Sequence, residues 1–203
     1  MTNFLKKYFF SVFIVFVTQI VHASEPQAVS INKNAVFNKK DCMILIRQQE
    51  QQYKIPAGLL AAIAKVESGF GPYAVNSNGK SKQFKNLQDA KFYVTGLRNQ
   101  GIIDINIGAL QINYAYHKTR FSNAAAILDP YQNISYAAKY LASLRKTYGS
   151  WVKAVKFYHS PVSKYQDMNI SKVMCSLKGI DVNTYHEINE KKVSLKPSRT
   201  NVK

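Results

Sequence analysis

Carboxylates are scarce in this chain. Its 203 residues hold 11 Asp and Glu against 28 Lys and Arg, a formal charge of +17. Such a surplus implies an anionic partner: nucleic acid, phospholipid head groups or cell-wall polymer. Histidine is rarer still, with 4 copies. His117, His159 and His186 lack metal-ligand spacing, so neither a metal nor another cofactor is expected. Cysteine occurs twice, at Cys42 and Cys175, enough for one disulfide and no more. The apolar run from Tyr8 to Val21 has 14 residues, where a membrane span needs roughly 20. There is no internal repeat, and strand-type alternation is faint.

What is present at the start reads as an export signal. Lys6 and Lys7 precede the apolar run, and Val21-His22-Ala23 ends it in the manner of a cleavage site, with the cut before Ser24. An uncleaved anchor is the alternative. No Cys lies near the cut, which argues against a lipid anchor. The mature protein is then periplasmic or secreted. Losing residues 1–23 removes two Lys and no acid, leaving 26 basic residues of the 28, against 11 acidic, or +15. An exported chain of that charge meets the anionic envelope surface first. No nucleic-acid motif appears, and no nucleic-acid partner is expected. In an oxidising compartment, Cys42 and Cys175 are expected to pair and tie the first mature helix to the last. Two buried free thiols are the alternative.

Residues 24–37 are polar and unpatterned, a loose leader. From Asn38 to Tyr53 the pattern is helical, with Cys42, Leu45, Ile46 and Gln49 on one side. Pro56 is expected at the first position of a second helix, which Gly69, Gly71 and Pro72 stop. Ala74–Phe84, with Asn76, Asn78 and Gly79, reads as a turn or short hairpin. Asn86, with Asp89 three residues on, caps a helix ending at Gly101. Ile107–Asn113 is a short apolar-polar segment. Asp129-Pro130 starts a long helix to Tyr148, Ser150 another through Tyr158, and Pro161 a last one. From Gly179 onward apolar residues thin and Lys dominates, so 179–203 reads as a disordered basic tail. The fold class is mainly all-α, one domain over 38–178 with a hairpin or loop insert.

One carboxylate stands out. In Pro56–Phe70, Leu60, Ile63, Ala64 and Glu67 fall at i, i+3, i+4 and i+7 and share a stripe that is otherwise apolar. Desolvation and the C-terminal end of the helix dipole both disfavour a charge there. A general acid needs such a setting, since it must hold a proton until the substrate takes it. An exposed or ion-paired Glu on the helix shoulder is the alternative.

Two further segments carry polar groups that a helical core does not need: Gly108-Ala109-Leu110-Gln111-Ile112-Asn113 and Ala154-Val155-Lys156-Phe157-Tyr158-His159-Ser160. With Glu67-Ser68-Gly69, their order and spacing resemble the lytic transglycosylases, lysozyme-like enzymes that cut peptidoglycan strands. The resemblance covers about Asp41 to Tyr165. The long middle insert and the Tyr-His-Ser ending are similar to the small transglycosylases of conjugation and type IV secretion systems. The resemblance implies a lysozyme-like fold, with Glu67 as catalytic acid/base. It implies substrate contacts from Ser68, Gln111, Asn113, Tyr158 and His159, and secretion or conjugation proteins as partners. Four positions depart from the family pattern: Ala109 replaces Leu, Leu110 replaces Met, Asn106 replaces Asp and His159 replaces Asn. From the residues alone, Gln111 could equally satisfy loop backbone, Tyr158 could be a core aromatic, and Ser68 could cap its helix. Asn133 reads as a brace for the long helix.

Most glycosidases place two carboxylates about the scissile bond. Here Asp41, Glu50 and Asp89 fit helix starts or exposed faces, Asp129 fits a cap, and only Asp104 lies near a cleft segment. Glu67 therefore reads as the whole acid/base set. That suits the chemistry the resemblance implies, in which the muramic acid C6 hydroxyl replaces water and closes a 1,6-anhydro ring. A hydrolytic muramidase, an inactive wall-binding assembly protein and, last, a nucleic-acid binder are the other readings.

Overall fold

A computed structural model describes residues 37–160, 163–181, 183–186 and 188. The expected signal peptide, nearly all of the leader, Pro161 and most of the expected basic tail, including 189–203, lie outside the described residues. Helix α1 (Lys39–Gln52) opens the body. Asn38 caps it, its Oδ1 accepting from the amides of Lys40 and Asp41 while Asp41 Oδ2 accepts from the Asn38 amide. This closed capping box fixes where the helix starts. Cys42, Leu45, Ile46 and Gln49 face the core as the spacing requires.

Helix α2 (Leu59–Ser68) begins three residues later than Pro56 suggests. Its N-cap is Gly58, at φ 79°, which has no side chain to offer. Glu50 of α1 supplies the cap instead: its two carboxylate oxygens accept from the amides of Gly58 at 3.0 Å and Ala61 at 3.1 Å. Glu50 is thus buried, at 4% exposure, and not on an outer face. Burial pushes its carboxyl up from the usual carboxylate range, an effect those amide bonds partly offset.

The faint strand signal between residues 74 and 113 resolves into a four-stranded antiparallel sheet in the order β2-β1-β3-β4. Strands β1 (Ala74–Ser77) and β2 (Lys80–Gln83) form the expected hairpin, with Ser77 opposite Lys80. Asn78 and Gly79 both take positive φ, the two-residue turn whose twist matches paired strands. Helix α3 (Leu87–Asn99), capped by Asn86, leads to β3 (Ile105–Ile107) and β4 (Ile112–Asn113). The last two strands are missed in sequence because each has three residues or fewer, too short for alternation to register.

After the single-turn helix α4 (Tyr114–His117) and two 3₁₀ turns come α5 (Pro130–Tyr148), α6 (Trp151–His159) and α7 (Ser163–Ile180). Asp129 and Ser150 cap α5 and α6 through their side chains. The core runs between α1, α2, α5, α6 and α7, with Leu59, Leu60, Ile63, Ile134, Leu141 and Val173 among its fully or nearly fully buried residues. The lysozyme-like, mainly α architecture matches the expectation.

Two expectations are corrected. Cys42 and Cys175 are both free thiols. Cys42 is fully buried near the start of α1, while Cys175 is on the exposed face of α7. Burial lifts the Cys42 thiol to about 12, so it is inert as a nucleophile. The ordered body also outruns residue 178. Asp181 Oδ1 accepts from the amides of Asn183 and Thr184, residues 183–186 are helical, and Ile188 joins the core at 5% exposure. Ile188 falls in a polar stretch between Glu187 and Asn189, and composition alone hides it.

Candidate active site

Helix α2 delivers Glu67 in its last turn. The Phe70 amide bonds the Ala64 carbonyl at 3.3 Å and the Gly69 amide bonds the Lys65 carbonyl at 3.0 Å, with Gly69 left-handed at φ 61°. This Schellman closure ends the helix one residue after Glu67 and turns the chain toward the sheet. Leu60, Ile63 and Ala64 of the predicted stripe are buried to 1% or less, and the Glu67 side chain is 15% exposed. It is neither on the helix shoulder nor sealed in the core.

The Gly108–Gln111 segment is the turn between β3 and β4, with Gln111 donating from its amide to the Gly108 carbonyl at 3.1 Å. Gly108 has φ 81°, and a Cβ there would lie 2.4 Å from Asn133 Nδ2. Only glycine fits both demands. Asn133, fully buried, grips the turn from α5. Its Nδ2 donates to the Ile107 carbonyl at 2.8 Å and its Oδ1 accepts from the Leu110 amide at 3.0 Å. The expected brace thus holds this turn as well as standing near the start of its own helix.

Both other segments dock on that turn. Ser68 Oγ donates to the Ala109 carbonyl at 2.7 Å and accepts from the Gly71 amide at 3.0 Å. Tyr158 Oη donates to the Leu110 carbonyl at 2.8 Å. Burial, then the nearby Glu67 charge, push the Tyr158 hydroxyl well above its ordinary range. It therefore stays a neutral donor. Ala109 and Leu110 are fully buried. Their departure from the family pattern falls in the core.

Gln111, at φ 47°, uses its Nε2 on the carbonyls of Gly108 at 2.9 Å and Ala74 at 3.4 Å. Asn113 caps α4 through Oδ1, and its Nδ2 donates to Asp104 Oδ1 at 2.6 Å and Asn106 Oδ1 at 3.1 Å. In these contacts both residues hold local structure. Both also line a cleft of about 330 Å³, with Asn106, Tyr116, His117, Tyr140, Tyr148, Phe157, Tyr158 and His159 among its other walls. His117 meets Tyr136 and Tyr140 edge-to-face, and Phe121 meets Tyr136 the same way. Burial and the Arg120 charge lower the basicity of His117, whose Nδ1 meets Tyr136 Oη at 2.8 Å.

Glu67 is not part of that lining. Its link to the cleft is His159, a lining residue whose Nδ1 lies 3.3 Å from Glu67 Oε1. Asn169 of α7, which motif reading passes over, completes the contact with Nδ2 at 3.4 Å from the same oxygen. Among the described residues no group of three or more His, Cys, Asp or Glu could hold a metal ion.

A helix-ending Glu-Ser, a braced Gly-Ala-Leu-Gln turn and a Tyr-His pair therefore meet beside one cleft. The family model described as the transglycosylase SLT domain matches residues 44–169, more than half of the chain. The chain belongs to this SLT domain family. Its matched region takes in every residue of the arrangement just described, from Glu50 to Asn169. Among curated proteins, the chain is similar to Protein IpgF of Shigella sonnei and Protein IpgF of Shigella flexneri, each 32% identical over 114 residues, or 56% of this chain. The match spans 62% of each relative's length. No solved structure gives a significant match.

Proposed function

We propose that the chain is a peptidoglycan lytic transglycosylase, exported to the periplasm or beyond, that opens the wall locally for a secretion or conjugation apparatus. The observation that carries this reading is the convergence of Glu67-Ser68, the Gly108–Gln111 turn and Tyr158-His159 beside one cleft. Glu67 protonates the glycosidic oxygen between N-acetylmuramic acid and N-acetylglucosamine. The bond to C1 breaks, and the N-acetylglucosamine unit leaves with a free C4 hydroxyl. The N-acetyl group of the muramic acid steadies the positive centre, as in substrate-assisted glycosidases. Glu67, now a carboxylate, takes the proton of the C6 hydroxyl, and O6 bonds to C1. The proton that Glu67 gave is restored, and no water is consumed. An intramolecular nucleophile also has the proximity advantage over water. Gln111, Asn113, His159 and the aromatic walls supply the sugar contacts, and Ser68 places the turn.

Digestion of purified sacculi followed by mass spectrometry tests the proposal. The expected muropeptide is lighter than a hydrolysis product by one water and has no reducible end. A second reading, a hydrolytic muramidase, has one observation in its favour: the Asp104 carboxylate reaches Asn113 on the cleft wall. Reducible muramic acid as the sole product would select that reading, and Asp104→Asn would then abolish activity.

A further inference from the structure

The inner stripe of α7 carries an amide where an apolar side chain would pack better. Asn169 is 7% exposed and shares its face with Ile170, Val173 and Leu177, exposed by 5% or less. A buried amide costs stability unless its polar atoms find partners. Asn169 Nδ2 finds two: His159 Nδ1 at 2.9 Å and Glu67 Oε1 at 3.4 Å. The third side of this triangle is the 3.3 Å approach of His159 Nδ1 to Glu67 Oε1.

The proton count of the triangle is informative. An amide nitrogen has two hydrogens and no lone pair to accept with, so it donates to both neighbours. His159 Nδ1 then acts as an acceptor, which puts the neutral ring's proton on Nε2. Two acceptors 3.3 Å apart attract each other only through a donor they share. Asn169 is that donor while Glu67 is ionised. When Glu67 is protonated its own hydroxyl can serve. The contacts gather on Oε1, and the other carboxylate oxygen keeps its freedom to meet substrate.

We infer that Asn169 is a positioning residue for the acid/base. It docks the Glu67 carboxyl against His159, fixes the direction of the second oxygen, and selects the imidazole tautomer. This rests on the reading of Glu67 as the acid/base. Misdirecting a catalytic group by about 1 Å can cost on the order of 10²-fold in rate, and that is the size of effect expected.

The test compares kcat and KM on soluble glycan strands for four variants of the full chain. Glu67→Gln checks the parent reading and must be inactive. Asn169→Asp keeps the shape of the side chain but, ionised, has no hydrogen to donate. It should lose about 10²-fold in kcat with KM nearly unchanged. Asn169→Ser and Asn169→Ala are alike in size and differ by one hydroxyl donor. Ser should retain at least about 10-fold more kcat than Ala, and this pair carries the comparison if Asn169→Asp fails to fold. Wild-type kcat in Asn169→Asp, or equal kcat in Ser and Ala, would overturn the inference while an inactive Glu67→Gln leaves the parent reading standing. Activity in Glu67→Gln would sink both.

Discussion

The Glu67 carboxyl, at 15% exposure, lies between an imidazole and a buried amide. Glu67→Gln keeps the volume and removes the transferable proton. Glycan cleavage should fall by at least about 10²-fold, with an unchanged circular-dichroism spectrum and melting temperature. Near-normal turnover would remove Glu67 from the chemistry. At Tyr158 the expected loss is structural. Tyr158→Phe leaves the Leu110 carbonyl without its 2.8 Å partner. Unfolding free energy should drop by about 1–3 kcal/mol, the cost of a buried unsatisfied acceptor, as read from urea denaturation. Glu67 was legible in the sequence because one polar residue interrupted an apolar stripe. The same logic applies to Asn169, but the neighbouring Gln166 and the polar residues of early α7 blur its stripe. His159 was legible as a position and not as a role, since nothing in the chain order reveals that α7 brings an amide to it.

Among the elements, α2 is held at both ends by residues outside it. Glu50 supplies its N-terminal cap and Ser68 ties its C-terminus to the Ala109 carbonyl. The first of these makes stability pH-dependent. The native Glu50 carboxyl binds its proton more tightly than the unfolded one, whose ordinary value is 4.5. This contribution to stability is therefore fully present below about 4.5 and is lost as pH rises through the higher native value. Glu50→Gln removes the titration. Its melting temperature should vary less than the wild type's between pH 4 and 7, and parallel curves would refute the assignment. The β3–β4 turn gives a second element-scale outcome. Gly108→Ala forces a Cβ against Asn133 at 2.4 Å and a left-handed φ of 81° on alanine. A loss of about 1–3 kcal/mol is expected from the backbone alone, with activity falling further as Gln111 shifts. Helix starts were readable here because side-chain caps are local: Asn38, Asn86, Asp129 and Ser150 all act within three residues. The cap of α2 was not readable, because its donor groups and its acceptor are 8 and 11 residues apart.

For the whole molecule, the formal charge is +17, or +15 once the expected signal peptide is gone. Among the described residues, apart from His159 and Glu67, the close pair is Lys156 with Asp167. The unbalanced cations should steer the protein to anionic wall or membrane over roughly the Debye length, about 8 Å at physiological ionic strength. Raising salt should weaken binding to intact sacculi and leave turnover at saturating substrate nearly constant. A steep fall in saturated turnover would place lysines in the chemistry itself. Charge sign was plain from composition, whereas the packed residues beyond 178 were not, because one buried Ile188 decides more than the polar residues around it.

The outer strand of the sheet has a consequence of its own. Strand β2 reads Lys-Ser-Lys-Gln, all four residues are exposed, and among the described residues it pairs only with β1. Its outer edge is a ready template for a strand of another molecule. Lys80 and Lys82 are the guard, since two approaching copies would set like charges against each other. Lys82 is also spread over the Tyr93 ring at 4.4 Å, which keeps it at the edge. Replacing both with valine should leave the circular-dichroism spectrum unchanged and make light scattering rise with concentration.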